Sequence, residues 1–169
     1  PGKALIDLGG KTMIQRVYER AASLSAFSEV IVATDDTRIV EAVRAFGGKA
    51  MMTSPAHRSG TDRCAELVRA MAKRPDVVVN VQGDEPFLET AQLELVLGCF
   101  RTPDTQIATL VKKITDIETL ENPNTPKVVS DREGRAIYFS RHPIPYLRGT
   151  APAHWLTQTD YYKHIGVYG

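Results

Sequence analysis

Cysteine is scarce in this chain of 169 residues: two in all, Cys64 and Cys99. They are too few and too far apart for a zinc ribbon or a disulfide scaffold, and they point to a reduced, cytoplasmic protein. No apolar run approaches the length of a bilayer span, and no signal-peptide pattern is visible, so no membrane association is expected. A net charge of +1 leaves no broad basic surface, which argues against a nucleic-acid binder. No repeat and no low-complexity tract appears. The chain also lacks an initiator Met before Pro1-Gly2-Lys3 and stops on what reads as a strand at Tyr168-Gly169; we expect a chain whose ends are missing.

What is present is ordinary globular material. Hydrophobic residues at 43% against 24% charged exclude wholesale disorder. Ile14, Val17, Tyr18 and Ala21 repeat at helical spacing, as do Ile39, Val40, Val43 and Phe46 before a Gly47-Gly48 stop. Cys64, Leu67, Val68 and Met71 mark a third helix, and Leu93, Val96, Leu97 and Phe100 a fourth. Between them, residues 29–34, 49–53 and 77–81 read as strands. Residues 107–114 read as extended. Alternating strands and helices predict an α/β fold with a mostly parallel central sheet covered on both faces. Beyond residue 115, two apolar runs flank Asp131-Arg132-Glu133-Gly134 and predict a β-hairpin insertion. Residues 141–160, with three prolines, read as a loop over the sheet edge.

Several segments carry possible chemistry. Gln82-Gly83-Asp84-Glu85-Pro86 follows the apolar run 77–81. Carboxylates just past the carboxyl end of a parallel strand sit where ligands bind in open α/β sheets and suit Mg²⁺, which takes oxygen ligands. The same pattern also reads as a capped helix start with Pro86 opening it. Gly2-Lys3 suits a phosphate, although solvated turns with lysine are common. His57-Arg58-Ser59-Gly60-Thr61-Asp62-Arg63 precedes a helix. Its hydroxyls and free N–H groups suit helix capping, or equally a nucleotide or an anion. In residues 164–168 alternation sends His164, Gly166 and Tyr168 to one face, two polar tips over a gap that suits a hydroxylated ligand. Asn122-Pro123-Asn124-Thr125-Pro126 reads as a structured approach to a strand.

In their order, Pro1-Gly2-Lys3, Ala33-Thr34-Asp35, His57-x-Ser59-Gly60-Thr61-Asp62-Arg63, Asn80-Val81-Gln82-Gly83-Asp84-Glu85-Pro86, Asn122-Pro123-Asn124, Tyr138-Phe139-Ser140-Arg141 and His164-Ile165-Gly166-Val167-Tyr168-Gly169 closely resemble the 3-deoxy-manno-octulosonate (Kdo) cytidylyltransferases of lipopolysaccharide synthesis. The match runs along essentially the whole chain. The resemblance implies a Rossmann-like nucleotidyltransferase fold, usually homodimeric. It also implies transfer of CMP from CTP to the anomeric hydroxyl of Kdo with Mg²⁺, releasing pyrophosphate. Asp84 is then the metal carboxylate and, with Lys3, the catalytic pair. Gly2, Lys3, Ser59, Gly60 and Thr61 hold the nucleotide. Arg63, Gln82, His164 and Tyr168 meet the sugar, Arg63 at its carboxylate. Activation of another acidic sugar such as a sialic acid, or a non-catalytic sugar-nucleotide-binding domain, remains open. The family's strand with Arg-x-x-Ser-Thr-Arg-Leu ahead of Pro-Gly-Lys, and a second metal-binding Asp, are not among these residues. The expectation is therefore one nucleotidyltransferase domain over residues 1–169, lacking its first strand and its C-terminal part and inactive on its own.

Overall fold

The computed structural model describes residues 2–169; Pro1, the first residue of the Pro-Gly-Lys segment, lies outside them. Two compact units emerge: residues 2–108 with Val167–Gly169, and Thr109–Gly166.

The first unit holds the strand–helix alternation. A 3₁₀ turn, Lys3–Leu5, follows Gly2, whose φ of 96° lies in the left-handed region where glycine is favoured. Helix α1 is Met13–Ala22, with the Thr12 side chain accepting from Gln15 N as N-cap, a contact worth about 1 kcal/mol. It buries Ile14, Val17 and Ala21, three of the four positions whose spacing predicts it. Strand β1 (Val32–Thr34) pairs in parallel with β2 (Ala50–Met52). Helix α2 (Thr37–Ala45) links them and buries Val40 and Val43. Gly47, at φ 82°, ends it in the left-handed conformation that its position predicts. Helix α3 is Gly60–Ala70, and α4 is Thr90–Cys99 with Leu93 and Val96 buried.

The expectation for residues 77–81 needs correction. They lie between α3 and α4 outside any strand, and among the described residues only Asn80 is bridged, to Tyr168. A strand needs a ladder, and this segment has one partner residue. Asn80 turns its own N–H and C=O toward Tyr168, so Val79 and Val81 point theirs the other way. That side opens on a cavity of about 1020 Å³, lined also by residues 30–33, and no backbone hydrogen bond reaches them there among the described residues.

The second unit is built on a four-stranded sheet in the order β3 (Thr109–Lys113), β6 (Tyr162–Tyr168), β4 (Lys127–Ser130), β5 (Ala136–Ser140). β4 pairs antiparallel with both β5 and β6, so the hairpin expected around 131–134 stands. Helix α5 (Ile117–Glu121) has no counterpart in the sequence reading, although Asp116 caps it by accepting from Thr119 N. Five residues are too few for a periodic signal. The stretch 141–160 is also more ordered than a covering loop. It contains a 3₁₀ turn (Pro152–His154) and helix α6 (Trp155–Gln158). Trp155 joins Ile114, Leu120 and Tyr161 in a separate apolar cluster, and its indole N–H donates to Thr150 O at 2.8 Å. No helix is long and apolar enough to cross a membrane among the described residues.

Candidate active site

The first unit's candidate site grows from the start of α3 and the end of the 77–81 segment. Ser59 caps α3 by accepting from Asp62 N at 3.1 Å, leaving Gly60 and Thr61 as the first helical residues. A Cβ on Gly60 would stand 3.3 Å from Asn80 Nδ2, so a glycine lets the helix start close on the extended segment. Thr61 Oγ1 and Tyr168 OH lie 2.8 Å apart, and Asn80 Nδ2 donates to the same phenol at 2.8 Å. Gln82 Nε2 reaches Asn80 Oδ1 at 3.4 Å. Thus Thr61, Tyr168 and Gln82, all named from sequence, meet through Asn80.

Asn80 itself was not singled out. It is 7% exposed, and its signal is legible in retrospect: an amide inside Val-Val-Val-Asn-Val is a buried polar group that needs partners. It finds them in Tyr168 and Gln82. Tyr168→Phe removes the hydroxyl that both Asn80 and Thr61 use. We expect it to lower the melting temperature by roughly 3–6 °C, the loss of about 1–2 kcal/mol of part-buried hydrogen bonding. A differential scanning calorimetry trace superposing on the parent would count against this linkage.

Asp84 follows as an exposed carboxylate with no hydrogen bond or ion pair among the described residues. Gly83 beside it leaves room for α1: a Cβ there would stand 3.2 Å from Ile14 Cδ1. The Ile14 side chain in the first turn of α1 therefore packs against the Gly-Asp turn. Lys3 is exposed within its 3₁₀ turn and Gly2 is half-buried before it. Among the described residues no group of three or more His, Cys, Asp or Glu side chains could hold a metal. A lone, open carboxylate still fits Mg²⁺, which is characteristically held by one or two carboxylates with phosphate oxygens and water supplying the rest.

Arg63 sits differently from the sugar contact expected of it. Its Nη1 donates to Thr53 Oγ1 at 2.7 Å and Ser54 O at 3.3 Å, and its Nη2 pairs with Asp35 at 2.7 Å. The guanidinium ties α3 to the loops after β1 and β2. Nearby, Glu66 accepts from Ser54 N and from the His57 imidazole. The Ser54 N–H, then His57, hold the Glu66 carboxyl below its ordinary pKa. A depressed carboxyl stabilises the fold above its ordinary pKa and loses that contribution as pH falls through the depressed one. Glu66→Gln is therefore expected to lower the melting temperature at pH 7 and to converge on the parent in the acid range. A difference that stays constant from pH 7 to pH 3 would contradict it.

In the second unit, His164 lies half-buried on β6. Its Nε2 is 2.8 Å from Thr109 Oγ1, and Phe139 meets its ring edge-on at 5.4 Å. Burial lowers its pKa, which favours the neutral imidazole.

The comparisons agree on one relationship. A family model described as cytidylyltransferase matches residues 1–169. A 3-deoxy-manno-octulosonate cytidylyltransferase of Cytophaga hutchinsonii is 53% identical over 99% of this chain and 67% of its own length. One of Bacteroides thetaiotaomicron is 54% identical over 99% and 68%. The solved structure of CMP:2-keto-3-deoxy-manno-octonic acid synthetase complexed with CTP superposes with a TM-score of 0.89 at 46% identity, over 99% of this chain and 66% of that one. A 4-diphosphocytidyl-2C-methyl-D-erythritol synthase from Anaerococcus prevotii shares the fold at TM-score 0.60 and 12% identity. The chain spans about two thirds of the length of the 3-deoxy-manno-octulosonate relatives it matches.

Proposed function

We infer the reaction from one premise: this chain belongs to the cytidylyltransferase family, among its 3-deoxy-manno-octulosonate members. The protein that carries it transfers CMP from CTP to the anomeric hydroxyl of Kdo and releases pyrophosphate. The observation that carries this is the near-complete superposition on the CTP-bound synthetase, joined to an intact Gly-Asp-Glu-Pro turn with an open carboxylate. Nothing favours a sialic acid or a non-catalytic role.

The chain's own residues divide the work as follows. Ser59, Gly60 and Thr61 present hydroxyls and helix-start N–H groups to the nucleotide. Gly2 lets the backbone approach a phosphate, and the exposed Lys3 ammonium supplies a point charge. Asp84 would hold Mg²⁺, which when bound neutralises charge on the triphosphate. Gln82, Tyr168 and His164 are assigned to the sugar. Asn80 acts through Tyr168 and Gln82, fixing both. Arg63, tied to Asp35, fits support of the α3 start better than a sugar contact. The working protein is cytoplasmic and a homodimer in this reading.

The test is pyrophosphate release by the full-length protein from CTP with either Kdo or sialic acid. Release with Kdo at least 100-fold faster in kcat/KM is expected. Comparable rates would return the alternative sugar to contention, and no release with Kdo would end the assignment.

A further inference from the structure

The loop that delivers Ser59, Gly60 and Thr61 is held by a carboxylate that no assignment above uses. Residues 54–59 leave the end of β2 and re-enter the fold as α3. At the far end Ser59 caps that helix, and its hydroxyl also donates to Asp62 Oδ2 at 2.7 Å. At the near end Ser54 is engaged at three atoms. Its N–H donates to Glu66 Oε2 at 2.9 Å, its carbonyl accepts from Arg63 Nη1 at 3.3 Å, and its hydroxyl oxygen accepts from Ala56 N at 3.2 Å. The residue before it, Thr53, is buried, with its N–H on Thr34 O at 2.8 Å.

Two of the Ser54 contacts come from one face of α3. Arg63 and Glu66 are three residues apart, a spacing that sets side chains on the same side of a helix. One donates and the other accepts, so between them they hold both the N–H and the C=O of Ser54. Arg63 also has partners outside the loop, in Thr53 and Asp35. Glu66 differs. Among the described residues each hydrogen bond of its side chain goes to the 54–59 loop, because the oxygen that takes the Ser54 N–H also meets His57 Nε2. A single half-buried carboxylate oxygen thus fixes the loop at its first residue and again at its middle, and Ser59 fixes its end.

We propose that Glu66 is a positioning residue for the nucleotide, setting the 54–59 loop through Ser54 and His57, and with it the Ser59–Thr61 helix start, before CTP arrives. The proposal rests on the nucleotide-side assignment of Ser59, Gly60 and Thr61 made above. Glu66 touches neither substrate in this account. Its effect is one of order: a loop already fixed in the free protein leaves less conformational freedom for the ligand to remove. Without the carboxylate, that ordering has to come out of CTP affinity.

Steady-state kinetics of the full-length protein test this. Glu66→Ala is expected to raise KM for CTP about 10-fold, the scale of one hydrogen bond to a charged group, with kcat and KM for Kdo within about twofold of the parent. Glu66→Gln keeps an oxygen that accepts from the Ser54 N–H and should recover most of the affinity. Adding His57→Ala to Glu66→Ala should change KM for CTP little, because His57 acts through the carboxylate; a second loss of similar size would overturn the route through His57. Ile114→Val opens a small gap in the Trp155 cluster of the second unit and serves as the control for lost stability alone, with KM for CTP expected to match the parent. An E66A enzyme with unchanged KM for CTP, equal rises for CTP and Kdo, or an I114V enzyme that loses CTP affinity to the same degree overturns the positioning role. Ser59→Ala tests the reading beneath it and should also raise KM for CTP. A normal KM for CTP in S59A removes the nucleotide-side assignment and the proposal with it, whereas a raised one in S59A beside a normal one in E66A overturns Glu66 alone.

Discussion

Asp84→Asn in the full-length protein is expected to cut kcat by about 10³-fold, a barrier increase of about 4 kcal/mol, while the melting temperature stays within a degree or two of the parent. The separation between the two readouts follows from the position of the side chain. Asp84 is exposed and makes no hydrogen bond or ion pair among the described residues, so the fold they form does not depend on its charge. The amide keeps the shape and loses the anion that a divalent cation needs. Raising Mg²⁺ should recover part of the lost rate, because a weakened ligand is compensated by mass action. Turnover unchanged at limiting Mg²⁺ would remove Asp84 from the mechanism. A large drop in melting temperature would mean that it serves the fold after all.

Lys127→Met is expected to have the opposite signature, a large loss of stability. The methionine fills the volume, but the Asn122, Thr125 and Arg141 carbonyls lose their common donor. Each buried acceptor left unpaired costs about 1–3 kcal/mol, offset in part because no charge has to be desolvated. A net loss of about 3 kcal/mol corresponds to a drop in melting temperature of roughly 6–12 °C. Surface substitutions of lysine are usually within about 0.5 kcal/mol, so the effect is diagnostic. Calorimetric unfolding is the check. A variant as stable as the parent would show that the three carbonyls find water or other donors and that the loop does not depend on the ammonium.

Much of the local structure is legible in the residues because its causes are local. Ser59 three residues before Asp62, Gly47 after the last turn of α2 and Asp131–Gly134 between two apolar runs each specify a cap or turn by their own chemistry. Residues 77–81 show the limit of such reasoning. Their composition is that of a buried parallel strand, yet a strand is a relation between segments. Here a cavity, rather than backbone, faces Val79 and Val81. Helix α5 and the Trp155 cluster were missed for the same reason. Five residues and a proline-rich stretch carry no period, and what orders them is the packing of Ile114 and Leu120 against Trp155 and Tyr161, some 35 or more residues further along the chain.

The site divides along the same line. Ser59, Gly60, Thr61, Gln82 and Asp84 stand out as motif residues. Three of the five, with Tyr168, gather around Asn80 or close against it. Arg63 is expected at the sugar carboxylate, and its partner in the fold, Asp35, is not legible beside it because it lies 28 residues away on another loop. The residues around Lys127 and Arg141 read as a structured approach to a strand and as a motif at a strand end, with no sign of burial. Only the fold shows that one is fully enclosed and the other is held by the loop it helps to form.

The most direct measurement follows phosphorus by ³¹P NMR in one tube containing the full-length protein, CTP, Kdo and Mg²⁺. The α-phosphorus of CTP should reappear as a sugar phosphodiester, with one pyrophosphate formed for each CTP consumed and no turnover when either the sugar or Mg²⁺ is left out. Orthophosphate as the product, pyrophosphate formed without the sugar, or an unchanged CTP spectrum would each contradict cytidylyl transfer by this fold.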